Sequence, residues 1–241
     1  MIYTRPFITK KFIGYAGDSR RTQVTLAVQI VDSFTGLYPE VPLSVRLKEL
    51  PDIKTLRGQR GFYCFEGRET ITIDGVVINR SPIPDGNYTL VVQPDQTSGN
   101  QLFLQPRQVG QPWTNDFERP VVLPMPNPLN PLEIVTLAPT PAYPFPANAT
   151  LVRGLVQQGG AAVPNVVVTA RYDEVDPADA SLTIATDVET LTDREGEYAL
   201  FFKRLPNRTQ AVTVRVRGTA VQIPVVITEG ATLKNQVLNL P

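Results

Sequence analysis

The chain has 241 residues, 42% of them hydrophobic, and its 23 basic residues balance its 23 acidic ones. The length fits two domains of about 100 residues with real cores, and the neutral balance gives no global field that would attract nucleic acid or anionic lipid. There is no histidine and only one cysteine, Cys64. Histidine-dependent triads, histidine or multi-cysteine zinc sites and an intrachain disulfide are therefore excluded, and we predict a non-enzyme without a cofactor.

The first 21 residues form a predicted N-terminal arm in which cations alternate with aromatic residues. Such an arm could bind a phosphate backbone and stack on bases, or it could contact a neighbouring subunit. Since no basic body follows the arm, we favour a protein partner and expect no nucleic acid. The predicted contact residues in the arm are Tyr3, Phe7, Lys10, Lys11, Phe12 and Tyr15.

The start of the sequence lacks the apolar core of a signal peptide, and no run approaches the ~20 apolar residues of a membrane span. With one cysteine and no such segment, the sequence predicts a reduced, cytoplasmic protein without a membrane span.

Residues 22–138 are predicted to form a first β-sandwich with long insertions. Strict alternation over residues 24–31 indicates a half-buried strand, and residues 43–47 indicate a second one. The dipeptide Asp74-Gly75 between apolar runs predicts a two-residue hairpin. A further strand follows Gly86, and residues 134–137 form a strand inside a segment, 120–146, that contains nine prolines. Because proline removes a ladder donor, we place a Pro-rich linker at residues 139–147.

Residues 148–241 are predicted to form a second β-sandwich. Strands are indicated at residues 150–156 and 164–170, and Gly196 precedes another strand at 197–202. The alternation of Val212, Val214 and Val216 with polar residues indicates a half-buried strand, and the last strand covers residues 237–240. The predicted fold class is therefore all-β: two tandem antiparallel β-sandwich domains, transthyretin- or immunoglobulin-like, with an extended N-terminal arm and a Pro-rich linker.

The two halves share an ordered set of motifs. Each has a Pro-led strand beginning at Pro42 or Pro164, then Gly61-Phe62-Tyr63-Cys64-Phe65 or Gly196-Glu197-Tyr198-Ala199-Leu200, then the turn Ile83-Pro84 or Leu205-Pro206. This order resembles the carboxypeptidase regulatory-like domain, a transthyretin-type seven-stranded sandwich, most closely in the second half. The resemblance implies fold and not activity, because the zinc ligands of the catalytic domain that such modules accompany have no counterpart here.

The second half also separates its charges. Nine acids lie within residues 173–197, whereas residues 198–228 contain only basic charges. The acids could bind calcium through residues 173–179, they could pair with cations on neighbouring strands of a polar sheet face, or they could form one side of a subunit that stacks head to tail. The paired sheet face is the reading we favour.

Trp113 and Phe117 lie in the long insertion of the first half. Trp113 could plug the end of the sandwich, anchor a protein contact or stack on a sugar, and we include both residues in the predicted contact set. Cys64 is expected to be a small core residue and not a reactive thiol.

Two hypotheses follow for function. The first is a structural or adaptor subunit of a larger cytoplasmic assembly, a homo- or hetero-oligomer, by analogy an accessory subunit of a phage-tail-like contractile injection particle. The alternative is a pair of carbohydrate-binding modules, suggested by Trp113 and Tyr143. A line of exposed aromatic residues on one sheet would favour the second hypothesis.

Overall fold

The structure, a computed structural model, describes residues 8–11, 19–58, 61–73, 75–80, 83–94, 102–104, 118–126 and 130–241. These residues form strands and turns, and none of them belongs to a helix that could cross a membrane. The strands are β1 (Ile8–Lys11), β2 (Ser19–Asp32), β3 (Leu43–Leu47), β4 (Leu56–Arg57), β5 (Phe62–Ile73), β6 (Val76–Arg80), β7 (Gly86–Pro94), β8 (Phe103–Leu104), β9 (Glu118–Leu123), β10 (Leu132–Pro139), β11 (Thr150–Gln158), β12 (Ala161–Ala162), β13 (Val167–Val175), β14 (Thr183–Leu191), β15 (Glu197–Phe202), β16 (Thr209–Val216), β17 (Gln222–Thr228) and β18 (Thr232–Leu240).

The chain divides into two compact units, and the division falls between Leu137 and Ala138. Among the described residues, unit 1 ends at 137, while unit 2 holds residues 102–104 and 138–241. The domain boundaries and the linker at 139–147 remain predictions from the sequence.

Unit 1 is a sandwich of two sheets. One sheet has the order β4-β5-β2-β10, and the other has the order β3-β7-β9. Strands β2 and β10 run parallel, with Leu132 opposite Ala27 and Leu137 opposite Asp32, whereas the other pairs are antiparallel. The side chains between the sheets are apolar and buried, among them Leu26, Val28, Ile30, Val45, Leu47, Phe65, Leu90, Val92, Leu123 and Val135.

Unit 2 is a sandwich of the same kind. Strand β11 lies between β15 and β18 in one sheet, with β12 pairing the end of β11, and the second sheet has the order β14-β13-β16-β17. Strand β18 runs parallel to β11. The alternation predicted from Val212, Val214 and Val216 is confirmed, because these three side chains are buried and the residues between them are exposed.

The internal repeat found in the sequence is also a repeat of topology. The sheet β5-β2-β10 of unit 1 corresponds to β15-β11-β18 of unit 2, and β3-β7-β9 corresponds to β13-β16-β17. In both units the first and last strands of the repeat pair in parallel. The all-β, two-sandwich prediction is confirmed, with one parallel pair in each otherwise antiparallel unit.

The Gly-x-Tyr motif begins the same strand in both units. Gly61 has a φ of 75° and Gly196 a φ of 73°, a region that favours glycine because it has no Cβ. Each glycine accepts a hydrogen bond at its carbonyl from the first strand of the repeat, β2 or β11: Ile30 N–H donates to Gly61 at 3.2 Å, and Val156 N–H donates to Gly196 at 2.9 Å. The motif therefore marks the start of the strand that pairs with β2 in unit 1 and with β11 in unit 2.

Thr192, which precedes the second motif, joins two loops of unit 2. Its buried hydroxyl accepts a hydrogen bond from the Val166 amide at 2.8 Å and donates one to the Val163 carbonyl at 2.9 Å. The neighbouring Asp193 carboxylate accepts from the amides of Glu195 and Glu197, and burial raises the pKa of this carboxyl above its usual value. These residues therefore fix the turn that leads into β15.

Gly154 allows a bulge between β11 and β18. The register shifts there, so that Val152 lies opposite Leu233 but Gly154 lies opposite Gln236. Tyr198, buried beside the bulge, donates its hydroxyl hydrogen bond to the Gln236 carbonyl at 3.2 Å, and burial raises the pKa of this tyrosine. A Cβ at position 154 would lie 1.8 Å from the same carbonyl oxygen, so only glycine fits.

We expect Gly154→Ala to lower the free energy of unfolding of the chain by about 1–3 kcal/mol, because β11 and β18 must separate to admit the methyl group. Urea unfolding measures the loss. The matched control is Gly86→Ala, where the nearest atom lies 3.7 Å from the added Cβ, and we expect a change within about 0.5 kcal/mol. Equal losses in the two variants would contradict this account of the bulge.

Several strands were not predicted. Strand β9 contains Pro120 and lies at the edge of its sheet, where a missing donor is tolerated, and β17 contains Pro224 in the same position in unit 2. Strand β14 was also missed, and β10 is longer than the predicted strand at 134–137. In the predicted arm, residues 8–11 form β1 and residues 19–21 belong to β2, and these two strands pair with each other.

Candidate protein-interaction surface

The predicted contact residues fall mostly outside the described part of the chain. Lys10 and Lys11 lie on β1, at the edge of the unit 1 sheet. The other residues lie outside the described ranges and remain predictions: Tyr3, Phe7, Phe12, Tyr15, Trp113 and Phe117.

Strand β1 belongs to a four-stranded extension of the unit 1 sheet. Beyond a register shift at Val24, residues 20–23 of β2 pair with β1 on one side, and residues 19–23 pair with residues 68–72 of β5 on the other. Strand β6 then pairs with residues 69–73 of β5. We call this β1-β2-β5-β6 arrangement the ribbon, formed by residues 8–11, 19–23, 68–73 and 76–80.

The register of β1 and β2 brings four basic positions together. Lys10 lies opposite Arg21, and Lys11 lies opposite Arg20. Like charges directly opposite each other destabilise a strand pair. The backbone register therefore places four basic positions on the β1 side of the ribbon.

The other side of the ribbon is apolar and exposed. Residues directly opposite each other in a ladder share a face, and Ile73 lies opposite Val76 while Ile71 lies opposite Ile78. These four aliphatic side chains therefore share one face of the β5-β6 hairpin. Ile73, Val76 and Ile78 are 46%, 62% and 39% exposed, and Val77 is exposed on the opposite face. Adjacent exposed aliphatic residues of this kind mark an interaction surface more often than single ones do.

Strand β6 also has a free edge among the described strands, because it pairs with β5 alone. A sheet edge presents unpaired N–H and C=O groups that can accept another strand. Three other edge strands carry residues that oppose such pairing: Pro120 in β9, Pro224 in β17, and Asp187 and Glu189 in β14. In β6 only the last residue, Arg80, is charged.

The acidic residues of unit 2 are engaged locally. Asp176 accepts a hydrogen bond from the amide of Ala178, and Asp179 accepts from the amide of Ser181, which lowers the pKa of that carboxyl. No three carboxylates, thiols or imidazoles within the described ranges come close enough to hold a metal ion. The described residues therefore give no support to calcium binding at 173–179.

The outer face of the β14-β13-β16-β17 sheet pairs opposite charges instead. Glu189 of β14 accepts a hydrogen bond from Arg217, and Asp187 lies opposite Arg171 in the ladder. The Arg215 guanidinium donates to the hydroxyl of Thr169 at 3.2 Å. This arrangement is the charge-paired sheet face that the sequence favoured.

The aromatic residues near the predicted linker pack against one another. In unit 2 the ring centroids of Tyr143 and Phe145 are 4.8 Å apart, and that of Phe145 lies 6.4 Å from Phe201. The rings are tilted and half-buried, whereas a sugar platform needs an open face. Among the large, exposed hydrophobic side chains that are described, Tyr38 is the aromatic one and the others are aliphatic.

Cys64 lies in β5 and is half-buried, so the expectation of a core position is only partly met. Burial raises the pKa of its thiol, and the Glu66 carboxylate raises it further. Since the thiolate is the reactive form, these surroundings agree with an unreactive cysteine.

No protein-family model matches the chain, and no curated protein matches it. Similar solved structures include a streptococcal ancillary pilin, with 11% identity over 93% of this chain and 62% of that one and a TM-score of 0.25. The Bacillus anthracis TIE protein has 10% identity over 92% of this chain and 33% of that one, with a TM-score of 0.23. The shaft pilin SpaA from Lactobacillus rhamnosus GG has 7% identity over 93% and 99%, with a TM-score of 0.26.

The chain thus spans less than two thirds of the length of the first two of these structures. Scores this low carry no argument about the role of this chain, so we transfer neither pilus assembly nor adhesion to it. The resemblance to carboxypeptidase regulatory-like domains rests on the motifs given above.

The sequence did not identify the ribbon as a site. The hairpin at Asp74-Gly75 was predicted correctly, and Gly75 has a φ of 79°. Its apolar residues were expected to form ordinary sandwich strands. The signal that could have distinguished them is three consecutive aliphatic residues, Val76, Val77 and Ile78, because a half-buried strand alternates and this strand does not.

We expect the ribbon residues to contribute little to folding. Val76→Thr should change the free energy of unfolding by less than about 0.5 kcal/mol, because the side chain is mostly in water already. The matched substitution Val28→Thr buries a hydroxyl in the core of unit 1 and should cost about 1–3 kcal/mol. Urea unfolding of both variants, at chain concentrations too low for two copies to associate, provides the comparison, and a loss of more than about 1 kcal/mol for Val76→Thr would mean that something in the chain covers this residue.

Proposed function

We propose that this chain is a non-enzymatic structural or adaptor subunit of a protein assembly, and that it contacts its partner through the ribbon. The observation that carries the proposal is the exposed aliphatic face of the β5-β6 hairpin, formed by Ile71, Ile73, Val76 and Ile78, next to a free strand edge. Strand addition at such an edge gives affinity through main-chain hydrogen bonds, and the aliphatic face supplies buried apolar area.

The chemistry available to the chain supports a binding role. A sequence without histidine lacks the side chain that most often transfers protons near neutral pH. The shifted pKa values of Tyr172 and Tyr198 arise from burial inside the unit 2 core, and each hydroxyl donates to a protein oxygen. These tyrosines therefore act as structural groups.

The particular assembly is the more specific part of the proposal. Tandem sandwiches without catalytic residues suit accessory positions on a phage-tail-like contractile injection particle, and the particle we have in mind is a cytoplasmic one. A carboxypeptidase regulatory-like sandwich in unit 2 would then be a rigid accessory module of the particle and not part of an enzyme.

Size fractionation of an extract from cells that make the chain tests the proposal. We expect the chain to elute far above its own 26.6 kDa, and Val76→Glu to move it to lower mass, since a carboxylate would be buried at the contact.

Val226→Glu is the matched control, because Val226 is also a valine on an edge strand and is 61% exposed. It should leave the elution unchanged. Elution of the unaltered chain at its own mass, or an equal shift for both variants, would overturn the proposal.

A further inference from the structure

We propose that the partner at the β5-β6 hairpin is a second copy of this chain, an inference that rests on the proposed role of the ribbon in protein contact. The two copies pair through β6, antiparallel and across a two-fold axis at Ile78. The two ribbons then form one continuous eight-stranded sheet, and the edge strand of each copy becomes an interior strand.

The directions of the backbone groups fit this pairing. A two-residue loop is closed by a hydrogen-bonded pair, here Ile73 and Val76, and hydrogen-bonded and non-hydrogen-bonded pairs alternate along the ladder. Val76, Ile78 and Arg80 therefore direct their backbone groups towards β5, whereas Val77 and Asn79 direct theirs to the free edge. In an antiparallel pair centred on Ile78, Val77 lies opposite Asn79 of the other copy, and both such pairs satisfy their outward groups.

The register also joins the aliphatic side chains of the two copies. Centring on Ile78 pairs all five residues of β6, with Val76 opposite Arg80 of the second copy and Ile78 opposite its own counterpart. Paired residues share a face, so the four aliphatic side chains Ile71, Ile73, Val76 and Ile78 of each copy form one apolar surface of eight. A two-fold symmetric contact requires each surface to be complementary to a copy of itself, and this register satisfies that requirement.

The charges permit the contact as well. Arg80 lies opposite Glu69 within its own chain and opposite Val76 in the second copy, so no like charges face each other across the new ladder. The four basic positions on β1 and β2 lie on the far side of β5. This contrasts with the edge of β14, where Asp187 and Glu189 would face their own charge in a symmetric pair.

Sedimentation equilibrium of the purified full chain tests the inference directly. We expect a species of twice the 26.6 kDa chain mass. Ile78→Lys places two ammonium groups together at the two-fold axis, and we expect it to weaken dimerisation at least about tenfold. Val226→Lys, on the outer face of unit 2, should leave dimerisation unchanged. A monomer for the unaltered chain, or no effect of Ile78→Lys, would overturn the inference.

Disulfide trapping tests the register independently of variant stability. In a Cys64→Ser background, Ile78→Cys should cross-link two copies under mild oxidation, because a non-hydrogen-bonded pair brings its Cα atoms within bonding range, about 4.5 Å. Val77→Cys should not, since Val77 faces Asn79 of the other copy and the two cysteines would lie two residues out of register. Equal cross-linking at both positions, or at neither, would contradict the pairing.

The two proposals fail in different ways. A purified chain that is monomeric but elutes in a large complex from a cell extract would overturn the second copy as partner and leave the structural role in place. A purified dimer that elutes as no more than a dimer from the extract would overturn the larger assembly and leave the β6 contact in place.

Discussion

Each unit depends on pairing both edges of its central strand, β2 or β11, because a buried backbone N–H or C=O without a partner costs about as much as a lost hydrogen bond. Strand β2 lies between β5 and β10, and β11 lies between β15 and β18. In both units the last strand of the repeat returns to run parallel to the first. That contact joins residues such as Ala27 and Leu132 in unit 1 and Leu151 and Thr232 in unit 2, so it is long-range in both units.

Each sheet also ends in edge strands that pair on one side only, and these edge strands differ in the residues they carry. Pro120 and Pro224 remove a donor from β9 and β17, and acids occupy β14, so these edges resist further pairing. Strand β6 has aliphatic residues where these three strands have proline or charge. A free edge beside exposed aliphatic side chains is the combination that the proposed contact would cover.

Much of the fold could be predicted because local patterns agree with the tertiary structure. Alternation located β2 and β16, and Gly61 and Gly196 marked the start of equivalent strands. The bulge at Gly154 could not be predicted, since its cause is the carbonyl of Gln236, more than eighty residues away. The sequence did not indicate strand β9, because Pro120 is tolerated in a strand only at the edge of a sheet and the sequence alone does not show which strands lie at an edge. Within the ribbon, the sequence analysis selected Lys10 and Lys11 of β1 but not the aliphatic face on the far side of β5.

The comparison of the two units gives the ribbon its significance. Unit 2 has the same two sheets, and its β15 ends at Phe202, whereas the equivalent β5 continues to Ile73 and turns into β6. The additional length is therefore not needed to close a sandwich of this type. Exposed aliphatic residues reduce solubility and, at a free edge, invite aggregation. Since the ribbon adds this liability without completing the core, the contact with another protein surface that we propose would offset it by burying these side chains.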